Sequence, residues 1–294
     1  MRIDDHNHPD WHGRNLEAFL KNMDDNHIDI TWLLSWECPT SEYDPDCAWA
    51  YNPDTESPMP FFRCVSYKER APRRFVLGYC PDPRDPKAID RLKSAVAIHD
   101  VKVCGELKLR MMLDDWDAIR LYRYCGEAGL PVLVHIDYEY DGPSRYPRPN
   151  WWYGGGIDAF ERAIKKCPET NFLGHAPGFW AHISGDDTYL TDAYPTGKVL
   201  PGGEIIRMLD TYPNLYCDMS AGSGCNALSR DPEFARQFLI TYQDRVLFGR
   251  DYFDSVHEEF LDSIDLPKSV LDKIYYQNAL KLVPLNLDDY DIKF

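Results

Sequence analysis

The chain of 294 residues holds no apolar run long enough to cross a bilayer and no apolar leader ahead of its first strand pattern. Neither a membrane span nor a secretory signal is expected, and the expected location is cytoplasmic. Clustered Lys and Arg are also missing. With 48 acidic residues against 32 basic ones the formal charge is −16, which repels polyanions and argues against nucleic acid as a partner. The nine cysteines include no CxxC pair, and several, Cys80, Cys104 and Cys217 among them, sit in apolar runs, which predicts small buried hydrophobes kept reduced. No Gly-rich dinucleotide fingerprint follows the first strand pattern, which counts against an open doubly wound sheet. Low-complexity tracts, domain linkers and repeats beyond a strand–helix alternation are absent too, so residues 1–294 are expected to form one domain.

What is present is that alternation: short β-branched or Leu-rich runs separated by helical patterns. The strand patterns are RIDDHNH at the start, IDITWLLSW (28–36), RFVLGYC (74–80), KVCGELKL (102–109), PVLVHID (131–137), TNFLGHA (170–176), LYCDMS (215–220) and RVLFGRD (245–251). Amphipathic stretches such as NLEAFLKNM, IDAFERAIKKC and PEFARQFLITYQ lie between them. Eight such units predict an α/β fold of the (β/α)8 TIM-barrel kind, and the length suits one barrel of about 250 residues plus insertions. Three connections are far longer than the units require: 37–70, 138–156 and 177–201. Each follows a strand and so belongs to the C-terminal face, where barrels build active sites. Loops of that length read as lids or binding loops, and 37–70 reads equally as surface elaboration or a contact between copies in a homo-oligomer.

The chemistry-bearing residues sit at the ends of the strand patterns. His6 and His8 are one residue apart, and on a strand alternate side chains share a face, so both imidazoles point one way. Glu106 lies in GELKL, His135 in PVLVHI, His175 in FLGHAPG and Asp251 in LFGRDY. A barrel gathers all these ends round one mouth. Imidazoles with one or two carboxylates suit Zn²⁺, with Mn²⁺ or Fe²⁺ as alternatives, and such an ion makes a nucleophile of water near neutral pH. Glu106 has a second reading as the ion-pair partner of Lys108, two residues on and on the same face.

These motifs resemble the amidohydrolase superfamily, in particular the amidohydrolase-related family that also contains decarboxylases acting on aminocarboxymuconate semialdehyde. The resemblance runs nearly end to end and rests on IDDHNH, PVLVHI, FLGHAPG, LFGRDY and the closing YYQNALKLV. By position it implies that His6, His8, His135 and Asp251 are metal ligands and that His175 is a ligand or a catalytic histidine. GELKL is similar to the strand of TatD-type relatives whose Glu bridges two metals, which implies the same role for Glu106 and a site of one ion or two. The implied enzyme is a metal-dependent hydrolase with Asp251 and His175 as catalytic groups. It would cleave an amide, lactone or other ester bond of a small carboxylate or sugar-derived molecule. A non-oxidative decarboxylase with the same ligands is the alternative.

Substrate contacts are expected around this mouth. In RYPRPNWWYGGG, Arg145 and Arg148 could clamp a carboxylate while Trp151, Trp152 and Tyr153 cover a ring, or the aromatics could simply pack the loop onto the barrel. Lys108 is a further substrate contact. Arg250, beside Asp251, either touches substrate or lies outside the barrel. Ser220, which ends the seventh strand pattern, and Ser223 and Asn226 beyond it are binding candidates; no serine there has a paired base to make it a nucleophile. His182 in the sixth loop is a candidate contact, whereas His12, His27, His99 and His257 are expected at the surface.

Overall fold

Eight parallel strands are laid down in chain order: β1 (Ile3–Asn7), β2 (Ile30–Leu34), β3 (Phe75–Gly78), β4 (Cys104–Leu107), β5 (Val132–His135), β6 (Phe172–His175), β7 (Leu215–Asp218) and β8 (Val246–Leu247). They belong to a computed structural model in which residues 1–42, 57–137 and 152–293 are described. Pairing is sequential, β1-β2-β3 in one sheet and β4 through β8 in another. A parallel bridge between Gly78 and Val103 joins β3 to β4. At the other seam Asp5 N donates to Phe248 O at 3.0 Å and Asp251 N to His6 O at 2.8 Å. With helices between successive strands this is the (β/α)8 barrel, its ladder thinned at two seams.

Strand alternation divides the core into two layers. Ile3, Ile30, Trp32, Leu34, Val76, Val103, Leu133, Leu173, Tyr216 and Leu247 fill the barrel, joined by Ala279, Leu282 and Val283 from the C-terminal segment. The opposite strand faces meet the helices. Helix Ile157–Lys166 shows the rule, burying Ile157, Phe160, Ala163 and Ile164 at spacings of three and four. Each large apolar side chain so buried contributes roughly 1.5–3 kcal/mol. Asn278 ties the last helix to the sheet, its amide donating to Gln243 O at 2.8 Å and Val246 O at 2.7 Å. Of the eight cysteines in the described residues all are free, seven of them buried. Among the same residues no helix is long and apolar enough to cross a membrane.

Besides the single turn Pro177–Trp180 in the 177–201 connection, three helices among the described residues lie where the sequence reads as loop or goes unassigned. Phe61–Arg70 is helical inside the 37–70 connection, but its buried face is only Cys64 and Tyr67, which leaves almost no aliphatic periodicity to detect. Ala221–Ser229 is glycine-rich and intrinsically a poor helix former, and is stabilised by packing. Val256–Ser263 buries His257 and Glu258 beside Phe260 and Leu261, so its inner face reads as polar. His257 is therefore not a surface residue; it is 1% exposed, with Nε2 bonded to Ala221 O at 3.1 Å.

The β1 strand breaks its own alternation. Its register against β2 slips between Asp4 and Asn7, the signature of a bulge. Ile3 and Asp5 face the barrel interior, and the slip lets His6 and His8 face it as well, while Asp4 and Asn7 turn toward the helices. Asp5 meets Gly249 there: a Cβ on Gly249 would fall 2.2 Å from Asp5 Oδ1 and 2.8 Å from Asp218 Oδ1. Arg250, the next residue, lies outside the barrel, fully buried and paired to Asp4 through Nε at 3.1 Å, so it is not a substrate contact.

Glu258 shares that buried region. Burial, only partly offset by the Arg250 guanidinium, pushes its carboxyl up to about 7 from an ordinary 4.5. The folded state thus holds this proton more tightly than the unfolded chain does. The resulting stability is fully present below about pH 4.5 and lost as pH rises through about 7. Replacing Glu258 by Gln should therefore raise stability relative to the native protein by up to about 3 kcal/mol more at pH 8 than at pH 4.5, read by urea unfolding. An equal difference at both pH values would show that Glu258 ionises normally.

Candidate metal centre

The strand ends converge as the sequence predicts, and second contacts of the imidazoles fix how they are aimed. His8 Nδ1 lies 2.9 Å from the carbonyl of Leu34, an acceptor only, so that nitrogen carries the proton. His6 Nδ1 lies 2.7 Å from Asp218 Oδ2. Although burial opposes it, the rings of His175 and His6 and their hydrogen bonds hold Asp218 well below the usual carboxylate range, so His6 Nδ1 is a donor too. The two Nε2 atoms then face each other at 3.2 Å. Two lone pairs cannot meet at that distance without a cation between them, either a proton or a metal ion. In the protein alone burial disfavours the charge on His6, but the carboxylates of Asp251, Asp218 and Glu106 outweigh it and push His6 up to about 10.

Around this pair stand the other strand-end residues. Glu106 Oε2 is 3.4 Å from His8 Nε2 and 3.9 Å from His6 Nε2. Asp251 Oδ1 is 3.5 Å from His8 Nε2 and 3.8 Å from His6 Nε2, and it is buried with no hydrogen-bond partner. On the far side Glu106 Oε1 takes a 2.7 Å hydrogen bond from His135 Nδ1 and lies 4.0 Å from His175 Nε2. Burial works against the Glu106 charge, but His135, His8 and Lys108 hold its carboxyl well below the usual range. Most of these cross-site gaps are too long for good hydrogen bonds. They approach the roughly 3–3.5 Å that separates two donors each about 2.1 Å from one ion. The donor set, the orphaned Asp251 oxygen and the facing imidazoles all fit a divalent cation. Among the described residues three groups have mutually close ligand atoms: His6, His8 and Asp251; Glu106, His135 and His175; and His6, His175 and Asp218.

The last group includes one residue that sequence reasoning passed over, Asp218. Asp218 ends β7 fully buried, and its Oδ2 also lies 3.2 Å from His175 Nδ1. Ser220 completes the cage, its N donating to Asp218 Oδ1 at 2.8 Å and its hydroxyl lying 2.9 Å from Asp218 Oδ2 and 3.0 Å from His175 Nδ1. Ser220 is thus buried beneath the imidazoles and not available to substrate. Burial, and then the charge near His6, lowers the His175 pKa, so Asp218 orients His175 as a neutral ring with Nε2 toward the mouth. Asp137, just past β5, places Oδ2 3.8 Å from His135 Nε2. Burial, then the Asp218 and Asp4 carboxylates, raise Asp5 well above the usual range, which favours its neutral form beside Asp218. The signal for Asp218 was its strand-end position, the same one that marks His135 and His175.

The proposed substrate contacts divide. Lys108 lies just beyond β4 with Nζ 4.1 Å above the Trp36 ring and 5.4 Å from that of Tyr153. Tyr153 is fully buried, its hydroxyl donating to Glu42 O at 2.7 Å, and Trp152 beside it is half-buried. Arg145, Arg148 and Trp151 lie outside the described residues. Ser223 is buried, and the Asn226 amide is bonded to Pro195 O at 3.0 Å. His182 is buried with its ring centroid 4.2 Å from that of Tyr189, and burial pulls its pKa down to about 4.

The chain belongs to the amidohydrolase family, whose model matches residues 63–285. The His6 and His8 pair thus lies ahead of the matched span. Solved structures share the fold at low identity. An uncharacterised TIM-barrel protein from Bordetella bronchiseptica is 16% identical with a TM-score of 0.64, covering 96% of this chain and 97% of its own. A dihydroxybenzoic acid decarboxylase from a Polaromonas species, with manganese and the inhibitor 2-nitroresorcinol bound, is 12% identical with a TM-score of 0.59 and 96% coverage of both chains. A probable 2-pyrone-4,6-dicarboxylic acid hydrolase from Acinetobacter baumannii, with citric acid bound, is 11% identical with a TM-score of 0.57, covering 96% of this chain and 98% of its own. No curated protein sequence matches the chain.

Elemental analysis of the purified protein should find a divalent transition metal that the His6→Ala/His8→Ala double variant has lost. Asp218→Asn should weaken metal affinity by roughly 10–100-fold, the usual cost of removing an outer partner of a ligating imidazole. Unchanged stoichiometry in the double variant would remove the metal assignment.

Proposed function

We propose that the protein is a metal-dependent hydrolase that cleaves an amide, lactone or other ester bond of a small carboxylated substrate. The observation that carries this reading is the position of Glu106, one oxygen toward His6 and His8 and the other toward His135 and His175. A carboxylate facing two donor sets suits a two-ion hydrolytic site, His6, His8 and Asp251 on one side and His135 and His175 on the other. Zn²⁺ suits these nitrogen and oxygen donors, as do Mn²⁺ and Fe²⁺. When bound, such ions supply Lewis acidity toward a carbonyl and make water nucleophilic near neutral pH.

The protein groups divide the remaining work. Asp251 accepts a proton from the attacking water and returns it to the leaving group. Its side chain is 13% exposed while those of Glu106 and His175 are 3% and 1%, so among these it is the one that opens toward the mouth. His6 and His175 are held by Asp218 and keep their Nε2 atoms aimed inward. Lys108, steadied over Trp36, receives a substrate carboxylate. The loop arginines Arg145 and Arg148 would add to that charge.

Asp251→Asn keeps the shape and an oxygen ligand but cannot take the proton, so it should lower the hydrolytic rate by roughly 10²–10⁴-fold with metal largely retained. Turnover of the native enzyme in ¹⁸O-labelled water should place the label in a newly formed carboxylate. Release of CO₂ with no label entering the organic product would replace hydrolysis by decarboxylation.

A further inference from the structure

Behind the inward-facing side of β1 and β8 lies a second polar network, its Asp4, Asn7 and Arg250 buried and its Asn22 half-buried. Arg250 is fully buried between the barrel and helix Leu16–Asp25. Its backbone N donates to Asp4 Oδ1 at 2.8 Å, its Nε to Asp4 Oδ2 at 3.1 Å and its Nη1 to Asn22 Oδ1 at 3.1 Å. Asn22 in turn donates to Phe253 O at 2.7 Å. On the other flank the Asn7 amide donates to Asp4 Oδ2 at 3.2 Å and to Tyr252 O at 2.9 Å. Residues 250, 252 and 253 are therefore each fastened, and the residue enclosed between them is Asp251.

Asp251 needs that fastening. Its φ is +56°, in the left-handed region that costs a residue with a Cβ roughly 1–2 kcal/mol. The same turn brings its N to His6 O and its carboxylate toward His6 and His8. Regular strand geometry offers no such support, since β8 is only two residues long. As a device for stability alone, a buried carboxylate–guanidinium pair is a poor choice, because desolvation consumes most of its Coulomb gain and an apolar pair would hold as well. What apolar side chains cannot supply is directed hydrogen bonding to one backbone segment.

We propose that Asp4 and Arg250 are positioning residues for Asp251, holding it in the left-handed turn that aims its carboxylate at the metal. This rests on the reading of Asp251 as a ligand. The double variant Asp4→Leu/Arg250→Met removes both charges of the pair and, read below about pH 7 where Glu258 keeps its proton, leaves no buried ion uncompensated, so it tests positioning apart from charge burial. Three quantities are read: Co²⁺ affinity by competition with a chromophoric chelator, the visible spectrum of the Co²⁺ protein, and the thermal midpoint of the metal-free protein. The expected result is a midpoint close to that of the native protein, Co²⁺ binding weakened roughly 10–100-fold and an altered spectrum. Should the double variant not fold, Asn22→Ala removes one anchor of Arg250 and should weaken Co²⁺ several-fold with a shifted spectrum. Affinity within about twofold of native and an unchanged spectrum, in whichever of the two variants folds, would overturn the proposal. A native protein that binds no Co²⁺ would overturn the ligand reading itself, and the positioning role with it.

Discussion

The Asp218 carboxylate is the interaction on which the site depends. An ion in a dry barrel interior costs several kcal/mol unless its oxygens are fully engaged. Here they are engaged by His6 Nδ1, His175 Nδ1 and both the N and the hydroxyl of Ser220. Each of those contacts has a consequence on the far side of an imidazole. A ring whose Nδ1 is committed to Asp218 has only Nε2 left to offer, and its plane is fixed. The inward aim of the β1 and β6 imidazoles is therefore set from β7.

The barrel reaches this arrangement by departing from regular strand geometry at one seam. An ideal β1 would send either Asp5 or the two histidines inward, because its side chains alternate. The slip between Asp4 and Asn7 admits both, so that a carboxyl can sit under the imidazoles. Gly249 is the matching concession just past β8, since any Cβ there would occupy the space of Asp5 and Asp218. The left-handed Asp251 follows two residues later. Three irregularities thus occur where β1 meets β8, and the buried Asp4–Arg250 pair spans the same seam from outside. Where the ladder is short of backbone hydrogen bonds, side chains supply them.

Much of this was legible in the sequence, and what was missed has a physical pattern. Strand centres were marked by runs such as LVH and FLG, and the residues that end them, His135 and His175, could be placed at one mouth because a parallel barrel puts every strand's C-terminal end there. The HxH pair could be read as sharing a face whatever the register. Asp218 had the same strand-end position but stood between Cys217 and Met219 with no partner visible nearby in sequence; its partners, His6 and His175, lie 212 and 43 residues away. Ser220 looked like a loop residue beside a mouth and is instead the floor of the cage. Arg250 shows the limit of alternation: its neighbour's inward carboxylate correctly implied an outward side chain, but nothing local indicated that it would be buried against Asp4. The helix Phe61–Arg70 went unread because its inner face is Cys and Tyr, and the Glu258 helix because a buried carboxyl looks exposed in sequence.

The charge of the whole chain and the charge of its mouth make opposite demands on an anionic substrate. A formal −16 would repel a carboxylate at long range, but charges beyond about 8 Å are largely screened at physiological ionic strength. At 4 Å a single cation in a partly desolvated site is worth on the order of 4 kcal/mol. Lys108 occupies such a position: its positive charge reaches Glu106, and its Nζ lies over the Trp36 ring. For a carboxylated substrate, then, local geometry outweighs global charge, and the acidic exterior chiefly affects how often encounters occur.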